Sequence, residues 1–226
     1  MVKNKKLIQN TIFKFIDSYL SMNILGHKLS CPYWSNKLKN GKVVLRGFQN
    51  GKGDAESIRN ELEKLLLKDS QRKNILLDPE KFRKFAKRNR IGIDCSGLVF
   101  RILDKIVGLS GIFNLGINKT DSKTLTSQVY CRKIQFLGEA KILDMIRINN
   151  SRHVALITDV TEDIITYIHS ASRLTSKQGV HIGKIKLIDK SKLLENQDFQ
   201  EKTKNGENFG RKYIHVQQGD GIYRLK

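Results

Sequence analysis

Cys95 stands between an aspartate and a serine in the run IGIDCSGLVFRILDKIVG (residues 91–108), where an apolar helical segment begins. A cysteine in the first turn of a helix meets unpaired backbone N–H groups and the positive end of the macrodipole. Both favour the thiolate, the form that attacks carbonyl carbon, so this placement predicts a lowered pKa. Asp94 suits the N-cap. Gly97 removes a side chain where a sheet or a substrate comes close. Against this stands packing, since cysteine is among the residue types most often buried. The helix alone leans slightly to the packing reading.

A nucleophilic thiol needs a base, and the chain offers His27, His153, His169, His181 and His215. His153 opens the apolar segment HVALITDV directly after the polar turn NNSR, which sets it at a strand end. His169 lies late in the next segment, DIITYIHSA. If the short connection VTED closes these two segments into a hairpin, the histidines come to lie near one another across the ladder. The result is a nucleophile on a helix, a base on one strand and a polar group on the next to fix the base's tautomer. The competing reading of His169 is a structural contact or a metal pair with His153. Zinc is disfavoured by the lack of Asp and Cys at suitable local spacing, and no metal or cofactor is expected.

The elements that must position these groups are legible in the pattern. Ile8, Ile12, Phe15, Ile16, Tyr19 and Leu20 recur at helical spacing and predict an amphipathic helix docked on the domain, with a membrane-surface helix as the less favoured reading. A Gly/Lys-rich loop region with a short strand at 43–45 follows. Asp54 caps a second helix with Ile58, Leu62 and Leu65 on one face, and Asp78-Pro79 opens another. Around Cys95 the helix is apolar on most of its circumference, as a helix laid on a sheet should be. From residue 142 onward the segments ILDMIRI, HVALITDV, DIITYIHSA, VHIGKIKLI, KYIHVQ and GIYRLK read as strands joined by short turns, which favours antiparallel pairing. Residues 198–208 read as a solvated loop insertion. Helices first and strands later predict an α+β fold. Residues 1–30 are expected to form a helix and connection packed on a domain spanning 31–226.

The runs IDCSGLVFRILD, ILDMIRI, RHVALITDV and YIHSAS together resemble the NlpC-type papain-like cysteine peptidases, a family of bacterial cell-wall endopeptidases. The resemblance covers roughly residues 31–171, with DCSG its most specific piece. It implies a papain-like fold with the nucleophile's helix on an antiparallel sheet and extra helices at the N-terminus. It places the catalytic cysteine on Cys95, the base on His153 and the third polar residue on His169. CPYW resembles the segment whose tyrosine shapes the active site, which implies that role for Tyr33, although the Gly-Gly usual after it is absent. The family's residues flanking the cysteine bind the free amine of a short wall peptide, which implies substrate binding by Asp94 and Ser96. Ile142 and Leu143 replace the usual Pro-Gly before Asp144. The activity implied is cleavage of an amide bond, at a γ-D-glutamyl linkage of peptidoglycan-type stem peptides, through a thioester acyl-enzyme.

Composition bounds the alternatives. The 226 residues carry 39% hydrophobic and 28% charged side chains, ordinary for a globular protein, and a net charge of +20. Lysine is spread along the chain without an arginine-rich block, so composition explains the charge more simply than a nucleic-acid site does, although any anionic polymer would be attracted. No run approaches the roughly 18 apolar residues of a membrane span. The basic start lacks the apolar middle of a signal peptide, so the expectation is cytoplasmic, with non-classical export or delivery to the wall as the other route. Three cysteines match no metal knuckle, and Cys31 and Cys131 are expected to be reduced rather than paired. The rival functions are a cytosolic γ-glutamyl amidase or acyltransferase, and a catalytically silent module that binds polyanions.

Overall fold

The computed structural model describes residues 2–172 and 174–226, with side chains from Asn10 onward. Ile8 therefore lies outside the described side chains. The fold is α+β: helices dominate the first half, and a seven-stranded antiparallel sheet occupies the second.

Helix α1 (Val2–Leu20) leads into a hairpin of β1 (Met22–Ile24) and β2 (His27–Leu29). A second small hairpin joins β3 (Lys37–Lys39) and β4 (Lys42–Leu45), which contains the strand expected at 43–45. Helices α2 (Ala55–Leu66), α3 (Arg72–Leu77) and α4 (Pro79–Arg88) follow. Asp54 accepts the Ser57 N–H at 2.8 Å, and Asp78 accepts those of Glu80 and Lys81, so both aspartates cap as their positions indicate. Helix α5 (Cys95–Val107) is the central helix, trailed by the short α6 (Leu109–Phe113) and α7 (Ser122–Leu125). The sheet is built from β5 (Cys131–Lys133), β6 (Met145–Ile148), β7 (His153–Val160), β8 (Ile164–Ala171), β9 (Gly179–Lys186), β10 (Asp198–Phe199) and β11 (Gly221–Leu225), with α8 (Phe209–Tyr213) before the last strand. Its order is β10-β9-β8-β7-β6-β11-β5.

Both faces of this sheet are covered, which is why β7 is apolar without strict alternation. On one face Val154, Leu156, Ile168 and Val180 pack against Leu98, Val99, Ile102 and Leu103 of α5. Ile12, Ile16 and Tyr19 of α1 join the same core, which docks that helix on the domain. On the other face Ala155, Ile157, Tyr167 and Ile185 pack beneath Phe199, Phe209 and Ile214.

Two expectations for the C-terminal part fail together. KYIHVQ is not a strand: its start belongs to α8 and its end to a 3-10 turn at Val216–Gln218. Asn208 caps α8, and Phe209 and Ile214 are driven into the second core, so burial on one side of a single turn overrides the β-branched composition. The 198–208 stretch is no solvated loop either. It contributes edge strand β10 and buries Phe199, Glu201 and Thr203.

Candidate active site

Asp94 caps α5 as expected, its Oδ1 accepting the Gly97 N–H at 2.6 Å. This leaves Cys95 as the first helical residue, buried against the sheet. The segment that carries it is clamped from three sides. Ile93 N–H donates to the Pro32 carbonyl at 2.9 Å, the Ser170 hydroxyl donates to the Ile93 carbonyl at 2.7 Å, and Asp94 N–H donates to Gly51 at 2.8 Å.

Burial changes the electrostatics expected from the helix terminus. It raises the Cys95 thiol to about 11, helped by the neighbouring Asp94 carboxylate. The Val154 N–H, Lys52 and the Ser96 N–H pull the other way without winning. The resting group is therefore a thiol, a correction to the lowered pKa that the helix position predicted. Cys31 and Cys131 are likewise free, buried thiols.

Hairpin β7–β8 does bring His153 and His169 together. The ladder pairs Leu156 with Ile168, and at its end His153 Nε2 lies 2.7 Å from His169 Nδ1. Both side chains point to the face opposite α5, but His153 sits at the strand's first residue and is followed directly by Val154, whose N–H faces the Cys95 sulfur. Among the described residues no hydrogen bond joins that sulfur to the His153 ring.

The contacts do not stop at His169. Its Nε2 lies 2.8 Å from His181 Nε2 on β9 and 3.2 Å from Glu201 Oε2. His181 Nε2 reaches Glu201 Oε1 at 2.6 Å, and the Tyr167 hydroxyl donates to Glu201 Oε2 at 2.7 Å. An ionised Glu201 orders the protons along this row. His169 Nε2–H points to the carboxylate, His169 Nδ1 accepts from His153 Nε2–H, and His153 Nδ1 is left with a lone pair. Burial lowers both His153 and His169 below the usual 6.5, His153 strongly and with help from His169, so both rings rest neutral. Burial works to raise Glu201, but His169 and His181 overcome it and hold the carboxyl well below its usual range.

That His181 and Glu201 continue this row is not legible in the sequence. His181 pairs directly across from His169 in the β8–β9 ladder, a register that the spacing did not reveal. Glu201 falls in the 198–208 stretch, whose polar composition predicts a solvated loop. Its one sequence signal is the alternation of Phe199 and Glu201 on one face of a strand continuing β10.

The residues flanking Cys95 are already engaged. Lys52 Nζ lies 3.2 Å from Asp94 Oδ1 and 2.8 Å from Ser96 Oγ. Arg101 holds the Lys52 carbonyl with two N–H donors at 2.9–3.0 Å. Gly97 makes room for this lysine, since a Cβ there would stand 3.1 Å from Lys52 Cα. Burial raises the Asp94 carboxyl while Lys52 opposes it.

Tyr33 donates its hydroxyl to Ser35 Oγ at 3.0 Å, and burial followed by the nearness of Cys95 pushes the phenol up, so it remains a donor. It lines a cleft of about 370 Å³ with Trp34, Lys37, Arg83, Lys87 and Lys204. Larger clefts of about 560 and 720 Å³ lie at residues 67–74 and beside α1, and neither is lined by cysteine or histidine.

No protein-family model, no curated protein and no solved structure matches the chain. No helix is long and apolar enough to cross a membrane among the described residues.

Proposed function

We propose that the protein is a cysteine hydrolase of the papain-like, NlpC-type class that cleaves an amide bond in acidic peptides of the stem-peptide kind. The observation that carries this reading is the row of imidazoles His153–His169, with 2.7 Å between them, which ends on a buried carboxylate and begins one residue from the backbone N–H facing Cys95. Such a row fixes a tautomer with a lone pair on His153 Nδ1, the state a general base needs.

The reaction begins from a neutral pair. As Cys95 sulfur bonds to the amide carbon, its proton passes through a water at the open end of β7 to His153 Nδ1, because the ring lies on the sheet face opposite α5 and makes no hydrogen bond to the sulfur. The Cys95 N–H and the Tyr33 hydroxyl, released from Ser35, hold the negative oxygen. His153 then gives the proton to the leaving nitrogen as the C–N bond breaks, and a thioester remains. Water attacks the thioester carbon while giving its proton to His153. The C–S bond breaks, the sulfur regains its proton, and a carboxylic acid is released. His169 and Glu201 stabilise the imidazolium at each stage.

The substrate's charge follows from what surrounds the thiol. Lys52 occupies the position beside Asp94 and Ser96 where a substrate amine would bind, so a free amine is not needed. The cleft at Tyr33 carries four cations and no carboxylate, which favours peptides with free carboxylates, as γ-glutamyl linkages supply. The same four cations favour a second reading, a silent module that binds polyanions.

One experiment separates the two. Incubation with acidic γ-glutamyl peptides, free or N-acetylated, should give hydrolysis of both forms and a thioester mass adduct on Cys95, with Cys95→Ala inactive. Salt-sensitive binding to a polyanion without cleavage of any peptide would establish the silent module.

A further inference from the structure

The contacts around His181 leave one proton position to serve two neighbours. His181 Nδ1 faces the Gly179 carbonyl at 2.9 Å, and a carbonyl only accepts, so that nitrogen carries a hydrogen. Its Nε2 then faces both Glu201 Oε1 at 2.6 Å and His169 Nε2 at 2.8 Å, while His169 Nε2 is also 3.3 Å from Glu201 Oε1. No assignment of hydrogens satisfies all three contacts, because each nitrogen offers a single proton in a single direction. A cation at the centre of the triangle serves all three at once.

We infer that His169 Nε2, His181 Nε2 and Glu201 Oε1 form a site for a divalent ion of the zinc class, and that filling it reverses the tautomer of His153. The three ligand atoms lie within 4.8 Å of one another. An ion about 2.1 Å from each would cap the triangle from one side, well out of its plane, at ligand angles of about 75–105°, a pyramid with an open fourth position. Imidazole nitrogens and one carboxylate suit zinc, cobalt or nickel rather than calcium or magnesium. The outer contacts are those of a built site. The His181 Nδ1–H is held by a carbonyl, His169 Nδ1 meets His153, and Tyr167 fixes Glu201 Oε2, which leaves Oε1 to the ion. All three ligand residues are buried, and Glu201 borders a cleft of about 390 Å³ that gives access from solvent. Lys177, Lys184 and Lys202 line that cleft and slow the approach of a bare cation.

The coupling is a matter of lone pairs, and it rests on the proposed function only for its effect on hydrolysis. A metal takes the lone pair of His169 Nε2, so that ring carries its hydrogen on Nδ1. That hydrogen now donates to His153 Nε2, and the hydrogen of His153 moves to Nδ1. The ring proton count of His153 and His169 is unchanged. His153 Nδ1 then carries a hydrogen instead of a lone pair and no longer serves as the base of the proposed reaction.

Titration of the full chain with Zn²⁺ or Co²⁺ tests the site. One equivalent should bind, with at least about tenfold weaker binding in both His181→Gln and Glu201→Gln, the second of which keeps a partner for Tyr167. Unchanged binding in both variants would overturn the site. So would a cobalt–thiolate absorption band that disappears in Cys95→Ala, because the ion would then sit at the thiol. The coupling is read without reference to activity: long-range nitrogen–proton NMR of the rings should show the His153 hydrogen on Nε2 without metal and on Nδ1 with zinc bound. An unaltered His153 tautomer at full occupancy would sink the coupling.

Discussion

Lys52 decides the chemistry of the groups flanking Cys95 as much as the thiol does. It sits with side-chain exposure of 10% beside an Asp94 at 14%, so the pair is shielded from water. Removing one member of such a pair leaves the other buried and uncompensated, which is the expensive case. Lys52→Met should therefore lower stability in denaturant unfolding by about 3 kcal/mol, and Asp94→Asn in the same background should recover part of that loss. A cost near zero would mean that Asp94 already rests protonated. The thiol makes its own prediction. With Cys95 raised to about 11, iodoacetamide should label the native protein at pH 7.5 about a hundredfold more slowly than the unfolded chain, with a rate that keeps climbing above pH 9. Labelling that levels off near neutral pH would show a preformed thiolate instead. The residue types at Asp94, Cys95 and His153 were legible in the sequence because caps, strand ends and hairpins are local. Lys52 was not, because its pairing spans 42 residues and depends on how a loop folds over α5.

At the scale of elements, the hairpin and its neighbour strands act as a rack that holds rings at fixed spacing. Gly183 is the position on which this depends. It pairs with Tyr167 across the β8–β9 ladder, and a Cβ there would stand 2.2 Å from the phenol ring. Gly183→Ala should displace Tyr167, free Glu201 Oε2 and cost about 1–3 kcal/mol through overpacking of a buried ring. Thermal unfolding measures the cost, and a Tm equal to that of the unsubstituted protein would show that the ring yields freely. The capped helices and the strands from β6 to β9 were legible because period and punctuation agree there. Two stretches between β9 and β11 were not. In KYIHVQ the β-branched residues suit a strand, yet the second core claims Phe209 and Ile214 from a single helical turn. The 198–208 stretch is polar by composition, and only the contacts of Phe199 and Glu201 reveal that it closes the sheet.

The molecule as a whole carries neutral imidazoles in its interior, and acid acts on that directly. His153 and His169 have folded-state pKa values below the 6.5 of the unfolded chain, so between those values the unfolded state binds more protons. Stability therefore rises with pH through this window and is lost as pH falls below about 6.5. Two such groups predict a loss of about 1–2 kcal/mol between pH 6.5 and 5.5, and His153→Phe should roughly halve it. Glu201 adds a separate loss at lower pH, because its depressed value stabilises the fold until the carboxyl is protonated, below its usual 4.5. Denaturation curves at the two pH values measure the first effect. Equal midpoints would mean that the rings are protonated in the native state.

The place of Glu201 on the edge of the sheet also sets when the machinery is complete. The thiol, the first histidine and the second are all made before the carboxylate that orders their protons, and β10 adds to the sheet at its outer border. A growing chain thus carries Cys95 for more than a hundred residues of synthesis while the row of rings still lacks its anchor. The order of the strands thus makes the imidazole row the last part of the site to settle. A single nick in the turn at residues 203–206, where Gly206 closes on Thr203, would loosen the same anchor in the finished protein.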